Sequence, residues 1–237
     1  MDAYDLTFHV CERTGKEKSM VQLSQPDERN LMYRGSSVED IQAWLIRNSD
    51  TLSNSVPNDD RNHLEISQNL AIYGWFQWNF YTVSLVWSLT SIEMALGHKF
   101  LQVTKEPVTL EKKKRQKKEQ KEVSVDFRLF EELWKGWRIS NLRDFNGSFK
   151  SLLLWAKSHS VLPSNTPIVL QELQHSYNNR FLKQNGMVPL PLNILSEEIP
   201  RFRNALIHMR REFVVLPTSA INGYRQAVEI INRLWPN

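Results

Sequence analysis

The sequence predicts an all-α protein, a bundle of helices carrying a small irregular N-terminal extension. Three observations lead there. Apolar residues recur at helical spacing in segment after segment beyond residue 60, and no long β-type alternation appears there. One stretch, Ile66 to Ile92, runs 27 residues without a charge. Eight glycines among 237 residues argue against a turn-rich β-sandwich, while eight Trp and eleven Phe supply a sizeable core.

Residues 1–60 read as the N-terminal extension and 61–237 as the helical domain. Turn signals fall at Gln25-Pro26-Asp27, Arg34-Gly35-Ser36 and Val56-Pro57-Asn58. Thr7–Val10 and Met20–Leu23 have the composition of short paired strands. A helix is expected over Ser37–Arg47, capped by Ser36 or Ser37, with Val38, Ile41, Trp44 and Leu45 on one face. The apolar run then predicts one long, almost fully buried helix from about His63 to Phe100, kinked near Gly74. A membrane span is disfavoured, because Gln68, Asn69, Gln77 and Asn79 would need partners in the bilayer and Trp75, Trp78 and Trp87 sit mid-run rather than at its ends. Glu93 is the lone acid near the end of this helix. It reads either as the first exposed charge where the helix emerges or as a carboxylate supporting a nearby site.

A lysine-rich insert at about 105–122 follows. Between Glu111 and Glu122 stand seven basic residues and three acids, so this segment accounts for the whole +4 of the chain. It reads as a solvated loop or exposed helix extension. Its functional reading is a phosphate-contacting arm through Lys112, Lys113, Lys114, Arg115, Lys117 and Lys118, salt-sensitive and lacking an aromatic for base stacking. Further helices are expected at Asp126–Arg138 (Phe127, Phe130, Leu133, Trp134 and Trp137), Phe145–His159 (Phe149, Leu152, Leu153 and Ala156), Ile168–Lys183, after Ser196-Glu197-Glu198 with Pro200 in the first turn, and about Thr218–Leu234.

The helix after Ser196 carries the chemistry. Phe202, Leu206, Met209 and Phe213 fall within roughly 60° of one another at about 100° per residue. Asn204, His208 and Arg211 project on nearly the opposite side, and Arg203 lies between the faces, about 140° from His208. A histidine that titrates near neutrality, an arginine able to brace phosphate oxygens and an amide to orient either suit phosphodiester transfer. The bland alternative is an ordinary charged helix face. Cys11 is the only cysteine, so no internal disulfide forms and a reducing cytoplasm is the natural compartment. No zinc-type motif is present and the six histidines are scattered, so neither a metal nor another cofactor is expected. His63 and His98 have no partner legible in the sequence, and the N-terminus shows no signal peptide.

Arg203-Asn204-Ala205-Leu206-Ile207-His208 resembles the signature of HEPN domains, an arginine, four to six residues and a histidine, with a polar residue after the arginine. The run Tyr73–Phe100, with Phe80-Tyr81-Thr82-Val83 and Ser91-Ile92-Glu93-Met94-Ala95-Leu96, is similar to the long first helix of that fold. The resemblance covers roughly 63–235 and leaves out the N-terminal extension and the lysine insert. It implies a HEPN-like helical bundle and a metal-independent endoribonuclease of toxin–antitoxin, abortive-infection or antiviral defence systems. It also implies a homodimer whose Arg203 and His208 line a shared cleft, cleavage of RNA by 2′-hydroxyl attack, and an antitoxin or sensor protein as a further partner. A non-catalytic RNA- or nucleotide-binding module and a structural interaction protein are the other readings, since a fold does not fix an activity.

Overall fold

The computed structural model describes residues 25–31, 37–48, 52–114, 117–142, 144–162, 192–207 and 215–236, with the side chains of 31, 47–48, 113–114, 117–118 and 192–198 also outside the description. The strands expected at Thr7–Val10 and Met20–Leu23, and the helix expected at Ile168–Lys183, lie outside the described residues. The architecture is mostly helical. In chain order the described elements are α1 (Glu28–Leu31), α2 (Val38–Asn48), α3 (Asn58–Tyr73), α4 (Asn79–Val103), β1 (Val108–Lys114), β2 (Lys117–Val123), α5 (Phe127–Trp134), β3 (Arg138–Ile139), α6 (Phe149–Ser158), α7 (Leu192–Ile207) and α8 (Pro217–Leu234).

The single long helix expected from His63 to Phe100 is instead two helices folded back on each other. Gly74 to Trp78 form the turn between α3 and α4, and the pairs Asp60–His98, Ser67–Ser88 and Gly74–Tyr81 step in opposite directions along them, so they run antiparallel. The turn is held from far away in sequence. The Asn30 side-chain amide donates to the carbonyls of Gly74 (3.0 Å) and Trp75 (2.8 Å), and the Asp27 carboxylate accepts from the Trp78 N–H at 3.0 Å. Asp27 thus caps the first turn of α4, where Trp78 offers no side-chain cap of its own. Arg29 and the backbone N–H groups hold the Asp27 carboxyl far below the usual carboxylate range.

Three serines inside this apolar pair satisfy one another. Ser67 Oγ contacts Ser88 Oγ at 2.6 Å and donates to the Ser84 carbonyl at 3.0 Å, while Ser84 Oγ donates to the Ser67 carbonyl at 2.8 Å. Small side chains there let helices approach closely. A methyl group at Gly74 would stand 2.4 Å from the Tyr81 ring, which is fully buried and whose hydroxyl donates to Asn30. We expect Gly74→Ala to lower stability by about 1–3 kcal/mol, read as a shift of the urea midpoint, because the ring cannot retreat without breaking that bond.

α8 lies along α4 in the parallel sense, Gly223 meeting Leu85 and Trp235 receiving Lys99. Residues 52–57 are tied to its end. The Asn232 side chain accepts from the Ser53 N–H at 2.8 Å, and Ser55 Oγ donates to the Trp235 carbonyl at 2.8 Å. α2 opens as expected at Ser37, in a reciprocal cap. Ser37 Oγ accepts from the Asp40 N–H at 3.1 Å while Asp40 accepts from the Ser37 N–H at 2.8 Å. It buries Ile41 and Leu45, so the boundary expected at residue 60 falls within α3 and part of the segment before it belongs to the core.

The lysine-rich insert is neither loop nor helix extension. It is an antiparallel hairpin, β1 with β2, completed by β3 in the order β2-β1-β3. Val108 and Leu110 alternate inward, Ile139 pairs with Leu110 and is fully buried, and Lys112 lies opposite Glu119. Two like-charged pairs, Lys113 with Lys118 and Lys114 with Lys117, stand opposite each other near its tip. The helix expected to continue to Arg138 stops at Trp134, since Gly136 turns the chain at φ +90° and the sheet takes Arg138. α6 starts at Phe149, capped by Ser148, rather than at Phe145.

Candidate functional site

The helix that carries Arg203 begins at Leu192, earlier than its sequence indicates, and Pro200 sits inside it rather than in its first turn. A proline there withholds one N–H from the helical ladder, so packing rather than local preference holds this segment helical. Ile199, Phe202 and Leu206 are buried, as the apolar stripe requires, and Asn204 and Ile207 are exposed. Met209, Phe213, His208 and Arg211 lie outside the described residues.

Arg203 turns inward and meets Glu93 of α4, 110 residues earlier in the chain, its Nη1 donating to the carboxylate. The two side chains are 18% and 23% exposed, so this is a mostly buried ion pair. The guanidinium carbon lies 5.6 Å from the centre of the Phe149 ring, and Nη2 reaches Asn204 Oδ1 at 3.4 Å. Nε is buried without a partner among the described residues. Glu93 also accepts from the Phe149 N–H in the first turn of α6. Burial nevertheless lifts its carboxyl above the ordinary glutamate value, against the lowering pull of Arg203. Glu93 is thus paired with Arg203 and mostly buried, not an exposed charge where the helix emerges. Three of the four proposed site residues, Arg203, Asn204 and Glu93, are therefore in one place.

Of the lysine-run residues, Lys112 has an internal role. Its Nζ donates to the Lys135 carbonyl at 2.5 Å and stands 6.0 Å from the Trp137 ring. Lys113, Lys114, Lys117 and Lys118 are strand residues whose side chains lie outside the description, and Arg115 lies outside it altogether. Lys121, on β2, binds the Glu132 carboxylate and covers Trp137 at 4.4 Å.

Sequence reading also missed a buried dyad. His98 Nδ1 lies 2.7 Å from Asp60 Oδ1, with Asp60 fully buried and the edge of Phe127 against the imidazole at a centroid separation of 5.4 Å. The signal was available only as two polar residues at the ends of an apolar helix pair. The bond to Asp60 raises the His98 pKa above its usual value, ahead of the opposing effect of burial. A raised histidine pKa adds stability fully present below the unfolded value of about 6.5 and lost as pH rises through the folded one. The urea midpoint is therefore expected to fall over that interval, and His98→Gln to flatten the fall. His63 stacks on Trp87 at 5.6 Å.

An open groove of about 600 Å³ runs along the other side of α6, lined by Leu142, Phe145, Leu154 and Trp155, and includes none of the proposed site residues. Among the described residues no three His, Cys, Asp or Glu side chains converge as a metal site, and no helix is long and apolar enough to cross a membrane. Comparison of the chain with protein-family models, with curated proteins and with solved structures gives no match.

Proposed function

We propose that the chain is a metal-independent endoribonuclease of the HEPN type, acting as a homodimer in a toxin–antitoxin, abortive-infection or antiviral defence system. The observation that supports this most directly is the Glu93–Arg203 pair. α4 carries no other acid, and burying a charge pair in such a helix costs several kcal/mol of desolvation. An ion pair held at that cost, one residue from an exposed amide and five before a histidine in the sequence, suits a site more than a fold requirement.

In the proposed reaction His208 accepts the proton of the ribose 2′-hydroxyl, and the 2′-oxygen attacks the adjacent phosphorus. The bond to the 5′-oxygen breaks, and that oxygen takes a proton from a second acid. A cyclic 2′,3′-phosphate and a 5′-hydroxyl result. Two proton transfers on opposite sides of one phosphorus call for two acid–base groups, and a second copy of His208 across a dimer would supply the other. Glu93 fixes Nη1 of Arg203, leaving the Nη2 edge beside Asn204 to brace a phosphate oxygen. The same commitment of Nη1 to Glu93 favours, as second reading, a module that binds RNA without cleaving it.

The test is incubation of purified protein with labelled RNA in excess chelator. Cleavage with cyclic-phosphate ends is expected, and a single 2′-deoxy substitution at the cut site should block it. A requirement for divalent metal, or unchanged cleavage of the deoxy substrate, would overturn the mechanism.

A further inference from the structure

Among the described residues the two most exposed large aromatics, Trp134 at 71% and Phe127 at 61%, both belong to α5. Seven residues apart, they share one flank of that helix at about 10 Å along its axis. Trp134 lies in the same turn as Glu132 and Lys135, two residues that hold lysines of the basic hairpin, Lys121 at the Glu132 carboxylate and Lys112 at the Lys135 carbonyl. Beyond them Trp137 is flanked by the amines of Lys121 and Lys112. A stacking surface and a cationic element are thus rigidly joined, although the basic segment contains no aromatic of its own.

We propose that this face of α5, with the hairpin beside it, binds single-stranded RNA. The inference rests on the RNA-cleaving reading above and names the form of RNA that the protein takes. Glu132 is neutralised by Lys121 and Lys135, so the hairpin side presents net positive charge to phosphates. Glu131 lies between Phe127 and Trp134, which keeps the phosphate track on the hairpin side and turns the bases toward the aromatics. It also repels an acidic peptide. A duplex hides its base faces in the stack, whereas a single strand offers them to Trp134 and Phe127.

The experiment uses the full chain carrying His208→Ala and a labelled oligouridine of about twelve nucleotides, a length within the usual range of single-strand sites. Anisotropy should show tighter binding than to a duplex of equal length. Trp134→Ala should weaken it about fivefold or more with the salt slope unchanged, because stacking releases no counterions. Phe127→Leu, which keeps an apolar contact to His98, should give a smaller loss in the same direction. Equal or tighter duplex binding would overturn the proposal, as would unchanged affinity in Trp134→Ala, including the case in which that variant alters only the sedimentation of the protein and so reveals a protein interface. Unaltered affinity in Trp134→Ala beside intact cleavage by the native chain sinks the surface alone. Stacking-dependent binding by a native chain that never cleaves RNA sinks the nuclease reading alone.

Discussion

His208→Ala is expected to slow RNA cleavage by about 10²–10⁴-fold with the melting temperature unchanged, the range that one positioned acid–base group supplies. In a helical projection of the sequence His208 falls nearly opposite Phe202 and Leu206, the two buried members of the apolar stripe. Arg203 behaves differently. Arg203→Ala should abolish cleavage and also loosen the fold, since it leaves Glu93 buried beside Phe149 without its cation. Arg203→Lys keeps the charge and loses the forked geometry, so it separates the two effects. Because these residues act on one transition state, the His208→Ala, Arg203→Lys pair should be little worse than His208→Ala alone. Single-turnover cleavage of labelled RNA measures all four proteins, and native cleavage by His208→Ala would refute the assignment.

Glu93→Ala is expected to destabilise the fold by about 3–5 kcal/mol, the usual penalty for leaving one member of a buried pair alone. Glu93→Gln keeps an oxygen for the Phe149 N–H and for Arg203 Nη1, and should cost less. Replacing both partners, Glu93→Gln with Arg203→Met, should recover part of the loss of Glu93→Ala, as apolar filling often matches a buried ion pair. The pH dependence follows from the raised carboxyl. The folded state holds the Glu93 proton to higher pH than the unfolded state, so stability falls as pH rises from the unfolded value of about 4.3 through the raised folded one. Urea midpoints across that interval should show the decline in the native chain and its absence in Glu93→Gln.

Much of the helical plan was legible because local signals agreed with tertiary packing. Ser37 announces α2, Pro217 opens α8, and Phe202 with Leu206 fixes the inward face of α7. The turn at Gly74 to Trp78 was hidden because the residues that hold it, Asp27 and Asn30, are more than forty positions away. The hairpin was hidden because lysine and glutamate have little strand preference; Val108, Leu110 and Ile139 form it by burial, and Ile139 comes later in the chain. Arg203 and Asn204 could be proposed from their helix, and Glu93 from being a lone acid, but their meeting depends on how α4, α6 and α7 stack.

The bonds between residues 53–55 and the end of α8 have a consequence for synthesis. Ser55 and Trp235 are 180 residues apart, an interval the ribosome covers in about ten to forty seconds at 5–20 residues per second. During that time α3 and α4 have been made but the helix that lies along α4 has not. Until α8 emerges, the face of α4 that it covers stays open to solvent. Docking of α8 along α4 therefore follows the synthesis of every element between them, the three-stranded sheet and α5 to α7 included.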